Sequence, residues 1–273
     1  MKEIGIISDF GYGFYSGIMK GVIKNIAKDI DIIEIDNNVP SFSVISGSYI
    51  LYTTYRYMPK NSIILSVVDP GVGTNRKAII VKTRNYEFVS PDNGLIYEAA
   101  LEDGMLDIYQ ILLFELRKYL ETKYEFFKNN KFSYTFHGRD VFAPTVALLA
   151  NEENIERFTK RININDIVKL RLRDFSRVGN LIKLNVIYID KFGNVVLSSK
   201  FNDLKLRYGE NIIIKVNGLE RNALVGKRFA DVKKGELILY ENSFGFAEIA
   251  ENQGNASKTL NVNFGQNISF LSL

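Results

Sequence analysis

Between residues 4 and 101, short apolar runs alternate with stretches whose apolar residues recur every three or four positions. That alternation restricts the fold more than any other feature of the chain. Ile4–Ser8, Asp31–Ile35 and Ser62–Val68 read as buried strands. Between them lie Ser16–Ala27, with Ile18, Val22 and Ile26 at helical spacing, and Val44–Tyr57, also helical by period. Lys77–Thr83 and Tyr86–Val89 form a strand pair, and Asn93–Leu101 and Val141–Asn151 add two helices. A strand that is apolar throughout must be covered on both faces. Strand–helix–strand succession supplies that cover, so the spacing predicts an α/β domain with a largely parallel sheet.

Beyond the charged stretch Lys169–Arg177 the texture changes. Asn180–Asp190, Val195–Ser198, Asn211–Asn217, Glu236–Tyr240, Gly245–Glu251 and Asn267–Leu273 are short strand-like runs separated by Asn, Gly and Asp. This is the pattern of a small antiparallel sheet or barrel. All five prolines lie before residue 145. Two domains are expected, 1–172 and 178–273, joined across residues 170–178. Glu115–Lys131 is charged and aromatic without a clean period and reads as an insertion or surface helix.

Residue counts narrow the chemistry. The 273 residues include no cysteine and one histidine, His137. A thiol nucleophile, an Fe–S cluster, a thiolate zinc site and a multi-histidine metal centre are therefore excluded, and no metal is expected. The net charge is +4, with Lys and Arg scattered among 31 acidic residues. Nucleic-acid binding would want a stripe of like charge, so no nucleic-acid partner is expected. MKEIGIISDF reads as a strand and not as a signal peptide. The longest apolar runs, such as Val141–Ala150, fall short of the ~20 residues that a spanning helix needs. A soluble cytoplasmic protein without membrane attachment is expected.

Five polar, glycine-rich segments fall where α/β folds place their sites, at strand carboxyl ends or in turns. Ser8-Asp9-Phe10-Gly11-Tyr12-Gly13 could hold a ribose diol through Asp9, or Asp9 could simply cap a turn. Gly11, Gly13 and Gly17, with Asp36 further on, come one residue off a dinucleotide fingerprint, which keeps a nucleotide-dependent dehydrogenase open. In 67–76, VVDPGVGTNR, a Pro-Gly turn would fold Arg76 back beside Asp69 as a reactive pair or as a structural ion pair. Ser90-Pro91-Asp92-Asn93-Gly94 reads equally as a turn before a helix. Thr135-Phe136-His137-Gly138-Arg139-Asp140 places the lone histidine at a helix start. Asp190-Lys191-Phe192-Gly193-Asn194 and Asn242-Ser243-Phe244-Gly245 set an aromatic beside amide, hydroxyl or carboxylate groups, as purine recognition or as hairpin turns.

Together these motifs resemble the S-adenosyl-L-methionine (SAM) hydroxide adenosyltransferases, adenosine-forming SAM hydrolases related to the fluorinase and chlorinase. The likeness rests on SDFG at 8–11, MKGVI at 19–23, VVDPGVGTNR at 67–76, SPDNGL at 90–95, FHGRDVFAP at 136–144, IDKFGN at 189–194 and NSFG at 242–245. It implies an N-terminal α/β domain, a C-terminal β-barrel, and a homotrimer binding SAM at subunit interfaces. It implies that Asp69, Arg76 and His137 handle water, a set that the halogenases lack. It also implies that Asp9 holds the ribose diol, Asp190 the methionine ammonium and Ser243 the methionine carboxylate. Asn194 would contact the adenine and Phe192 would stack on it. The implied reaction is attack of water or hydroxide at the ribose C5′, with SAM as substrate and no cofactor. A non-catalytic SAM- or adenosine-binding module and a SAM-dependent halogenase remain as alternatives.

Overall fold

A computed structural model describes residues 2–272. The chain divides between Leu170 and Arg171 into two compact units.

The first unit runs β1 (Glu3–Ser8), α1 (Phe14–Ile26), β2 (Asp31–Asp36), α2 (Val44–Thr54), β3 (Ile63–Val67), β4 (Ala78–Thr83) and β5 (Glu87–Pro91). It continues with α3 (Tyr97–Asp103), β6 (Met105–Ile111), α4 (Leu113–Lys123), α5 (Glu125–Asn129), α6 (Ala143–Ala150) and β7 (Thr159–Ile162). The sheet order is β2-β1-β3-β5-β4-β6-β7. β2, β1, β3 and β5 are parallel neighbours, while β4 opposes β5 and β6, and β7 opposes β6. Only β4 and β7 therefore run against the rest, which makes the sheet mostly parallel. Ile4, Ile6, Leu65 and Val67 pack with Met19, Val22 and Ile23 of α1 and Val146 and Ala147 of α6 in one buried cluster. Each of the larger side chains among these contributes about 1.5–3 kcal/mol on burial. This packing holds β1 and β3 side by side, so Asp9 and Asp69, one and two residues past their carboxyl ends, leave the sheet at one edge.

Two helices start later than periodicity suggests. Asn93 spends its amide on the Val68 carbonyl (2.8 Å) and Gly94 turns at φ 91°, so α3 begins at Tyr97. Gly138–Phe142 forms a single π-helical turn ahead of α6. Pro144 then sits in the first turn of α6, where its missing N–H costs nothing. The stretch expected as an insertion or surface helix becomes α4 and α5.

The second unit comprises β8 (Phe175–Val178), β9 (Leu181–Ile189), β10 (Val195–Lys200), β11 (Asn211–Val216) and β12 (Leu219–Val225). β13 (Leu237–Glu241), β14 (Phe246–Glu251), α7 (Ala256–Leu260) and β15 (Asn267–Ser272) complete it. Its sheet order is β10-β14-β13-β12-β11-β15-β9-β8, and β10 also pairs with β9. That last pairing closes seven strands into a barrel with β8 outside it. Val186, Leu197, Ile212, Ile214, Leu239, Ile249 and Phe270 fill the interior. Of the expected strand Asn267–Leu273, Leu273 lies outside the described residues. Among the described residues, no helix is long and apolar enough to cross a membrane.

Candidate active site

The loop after β3 is wound by its own backbone. Thr74 N–H and its hydroxyl both donate to the Gly71 carbonyl, at 3.2 and 2.7 Å. Gly73 adopts φ 78°, and a Cβ there would lie 2.8 Å from the Tyr134 carbonyl oxygen, so only glycine fits. The winding brings Arg76 back onto Asp69. Arg76 Nε donates to Asp69 Oδ1 at 2.9 Å and Nη2 donates to Oδ2 at 2.5 Å, a bidentate pair with side chains only 10% and 7% exposed. The guanidinium lies 5.2 Å over the Phe142 ring.

Arg76 Nη2 also meets His137 Nδ1 at 2.7 Å. Arginine can only donate, so Nδ1 accepts, and a neutral ring then carries its proton on Nε2. Burial, and after it the Arg76 charge, push the His137 pKa below its usual 6.5, which favours that neutral ring. His137 is 3% exposed, and its buried Nε2 has no hydrogen-bond partner. An unpaired buried N–H donor is uncommon and points to an acceptor supplied from outside the chain. Asp140 steadies this segment by accepting from Ser133 N (2.7 Å) and from Arg139 Nε and Nη2 (2.7 Å each).

Asp69 and His137 line a cavity of about 290 Å³ together with Asp9, Phe10, Tyr15, Ser41, Phe42, Thr135 and Phe136. Arg76 is not among its lining residues; it clamps two of them. Asp9 Oδ2 accepts the Phe42 N–H at 2.9 Å, and burial followed by the nearby Asp69 raises the Asp9 pKa. Phe42 was not singled out by its sequence context, yet it adopts φ 65° and is 72% exposed. A left-handed non-glycine residue costs about 1–2 kcal/mol, so Asp9 holds a strained aromatic at the cavity rim. Behind Asp9, Ser8 Oγ donates to Asn37 Oδ1 (2.6 Å), and Asn37 Nδ2 donates to Glu34 (2.8 Å). Asp36 spends its carboxylate on the Asn38 N–H (2.7 Å) in its own turn.

The 90–94 segment is structural. Asp92 Oδ1 accepts the Val168 N–H at 2.8 Å, and Asn93 braces the end of β3. In the second unit, Asp190 organises its loop: Oδ1 accepts the N–H groups of Phe192 and Asn194, and Oδ2 accepts Asn194 Nδ2, all at 2.9 Å. Gly193 turns at φ 87° against the Asn255 side chain, which leaves no room for a Cβ. The Phe192 ring is 64% exposed, and Ser243 is exposed in the turn between β13 and β14. Asp190, Phe192 and Asn194 thus share one loop, while Asp9, Asp69 and His137 share one cavity. Among the described residues no group of three or more His, Asp or Glu side chains is placed to hold a metal ion.

Residues 4–159 match the model of the SAM hydroxide adenosyltransferase N-terminal domain, and residues 184–269 match that of the C-terminal domain. The chain belongs to the SAM hydroxide adenosyltransferase family. The chain is 34% identical to the (R)-S-adenosyl-L-methionine hydrolase of Methanocaldococcus jannaschii, over 98% of this chain and 95% of that one. It is 29% identical to the protein of the same name from Thermus thermophilus, over 99% and 100%. A fluorinase from Actinopolyspora mzabensis is 20% identical over 91% and 90%. A solved structure of an uncharacterized conserved protein from Thermotoga maritima superposes with a TM-score of 0.82 at 37% identity, covering 98% and 99%. The chain is an enzyme of this family.

Proposed function

We propose that this enzyme hydrolyses (R)-S-adenosyl-L-methionine to adenosine and L-methionine by attack of water at the ribose C5′. The observation that carries the reading is the Asp69–Arg76–His137 cluster, whose buried Nε2–H lacks an acceptor beside a cavity that also holds Asp9. A water oxygen in that cavity accepts from Nε2–H, which fixes its direction. Asp69 accepts the proton as the O–C5′ bond forms. The C–S bond breaks with its electron pair going to sulfur, so methionine leaves as a neutral thioether and needs no general acid.

The difficulty is the nucleophile, since bulk water has a pKa of about 15.7. Arg76 holds Asp69 in place through its two-point pair, and its charge favours hydroxide character in the oxygen beside it. Holding that oxygen about 3–3.5 Å from C5′ supplies much of the remaining acceleration. Asp9 takes the ribose diol. Asn194 and Phe192 take the adenine, and Asp190 and Ser243 take the methionine ammonium and carboxylate. No cofactor takes part. The enzyme works in the cytoplasm as a homotrimer with substrate at its subunit interfaces. The exposed aromatics Tyr12, Phe14 and Phe42 support an association surface.

Chromatography of the protein incubated with each sulfonium epimer tests this directly. Adenosine and methionine should appear in equal amounts from the (R) form. Absence of adenosine from both epimers refutes the reading. The fluorinase relatives favour one competing reading, a halogenase. It would yield 5′-halo-5′-deoxyadenosine when halide is added.

A further inference from the structure

The barrel unit buries a carboxylate that the proposed chemistry does not use. Glu248, on β14, is 7% exposed. Its Oε2 accepts Asn242 Nδ2 at 2.8 Å, and its Oε1 accepts the Tyr240 hydroxyl. Burial raises its pKa, with Asp190 adding to the rise. Burying a carboxylate is expensive, and an apolar residue would fill a barrel wall with less penalty. What Glu248 gains is control of one amide. The Asn242 side-chain oxygen, Oδ1, accepts the N–H groups of Phe244 and Phe246, both at 3.0 Å. That leaves Nδ2 facing the carboxylate, so an acceptor at 248 sets which way the amide points. Those two side-chain bonds brace a turn that the backbone itself closes, with Gly245 N–H donating to the Asn242 backbone carbonyl at 2.9 Å and Gly245 at φ 79°. Ser243 sits at the exposed corner of that turn.

We propose that Glu248 is a positioning residue for the methionine end of the substrate, acting through Asn242 to fix the turn that presents Ser243. The inference rests on the proposed role of Ser243. Tyr240 on β13 and Asn242 hold the carboxylate from the neighbouring strand, which pairs Tyr240 directly with Glu248. The device therefore spans the two strands that the turn joins.

Glutamine at 248 keeps an acceptor for Asn242 and can donate to the Tyr240 oxygen. Alanine removes the carboxylate acceptor that Asn242 Nδ2 uses. The test is calorimetric titration of the full-length protein with two probes, SAM and adenosine, for wild type, Glu248→Ala, Glu248→Gln and Asn242→Ala. Glu248→Ala and Asn242→Ala should each bind SAM about tenfold more weakly, the scale of one lost buried hydrogen bond to a charged group. Adenosine, which lacks the methionine end, should bind all four proteins alike, and Glu248→Gln should bind SAM within a few-fold of wild type. Unchanged SAM affinity in Glu248→Ala overturns the proposal, as does an equal loss for adenosine, which would mark a general packing role. Failure of the wild type to bind either probe would instead remove the functional reading and this inference with it. Should Glu248→Ala fail to fold, Asn242→Ala and Glu248→Gln decide the matter by the same comparison.

Discussion

The tautomer of His137 gives the sharpest test of how water is handled. Asparagine places its amide oxygen near the position of Nδ1, and glutamine places its amide nitrogen near that of Nε2. His137→Asn therefore keeps the acceptor for Arg76 and removes the donor facing the cavity. His137→Gln does the reverse. Arg76 loses one of its contacts in the glutamine variant, but the two-point pair to Asp69 at 2.9 and 2.5 Å remains. A hydrogen bond to a charged group is worth about 1.5–3 kcal/mol, and the surviving pair caps the damage near the lower end. Loss of a preorganised donor to the reacting oxygen is larger, about 10²–10³ in kcat. The expected order of turnover is thus wild type, Gln, Asn, Ala, with Gln at least about tenfold above Asn. The assay is initial-rate chromatography of adenosine at saturating SAM. If Asn equals or exceeds Gln, His137 serves only to anchor Arg76. If Gln and Asn both fall to the level of Ala, the ring acts as a base, and the donor role is refuted.

Acidification should reproduce the loss. The folded protein holds His137 neutral more firmly than the unfolded chain does, so the unfolded chain binds more protons below its usual 6.5. Its contribution to stability should be flat above that pH and decline below it, while turnover should hold until the pH falls further, through the lowered pKa of the folded protein; a decline of either on raising pH from 7 to 8 that His137→Gln abolishes would contradict the sign. Asp69→Asn should lower kcat by about 10²-fold or more while SAM still binds, read by single-turnover kinetics against calorimetry, and wild-type turnover would remove its role as proton acceptor. Asp9→Asn, whose amide oxygen can still accept the Phe42 N–H, should raise the SAM dissociation constant more than it lowers kcat; an unchanged dissociation constant would sink the ribose-diol assignment. Gly73→Ala should destabilise by about 1–2 kcal/mol from backbone strain alone, lowering Tm by about 2–4 °C per kcal/mol, with a matching loss of turnover as the 69–76 loop shifts. An unchanged Tm would refute both the strain at φ 78° and the Tyr134 contact as constraints on the loop.

How much was legible beforehand depended on the kind of signal. β1, β3 and α1 announce themselves because Ile4, Ile6, Leu65 and Val67 are buried on a sheet whose faces are both covered, so composition alone marks them. β6 and β7 escape because they end the sheet, and their residues are largely half-buried or exposed. β12 lies inside the barrel order but is hidden by its own exposure, with Glu220, Arg221 and Asn222 exposed along it. The return of Arg76 onto Asp69 was readable from Pro70, Gly71 and Gly73, since those residues permit a tight turn. Grouping of Arg76 with His137, 61 positions further on, came from the family resemblance and from no local spacing, because the contact depends on the π turn and on Asp140 holding residues 133–140. Phe42 left no trace because no spacing rule flags a non-glycine residue at φ 65°. The Asp92 and Asn93 pair read as turn or ligand, and only their bonds to Val168 and Val68 separate the two.

The central claim is that solvent oxygen ends up on the ribose. Turnover of (R)-S-adenosyl-L-methionine in ¹⁸O-enriched water containing chloride, followed by mass spectrometry of the nucleoside, measures that directly. The account predicts adenosine carrying the heavy isotope at its 5′ hydroxyl and no chlorinated nucleoside. Unlabelled adenosine, or 5′-chloro-5′-deoxyadenosine as the main product, would contradict it.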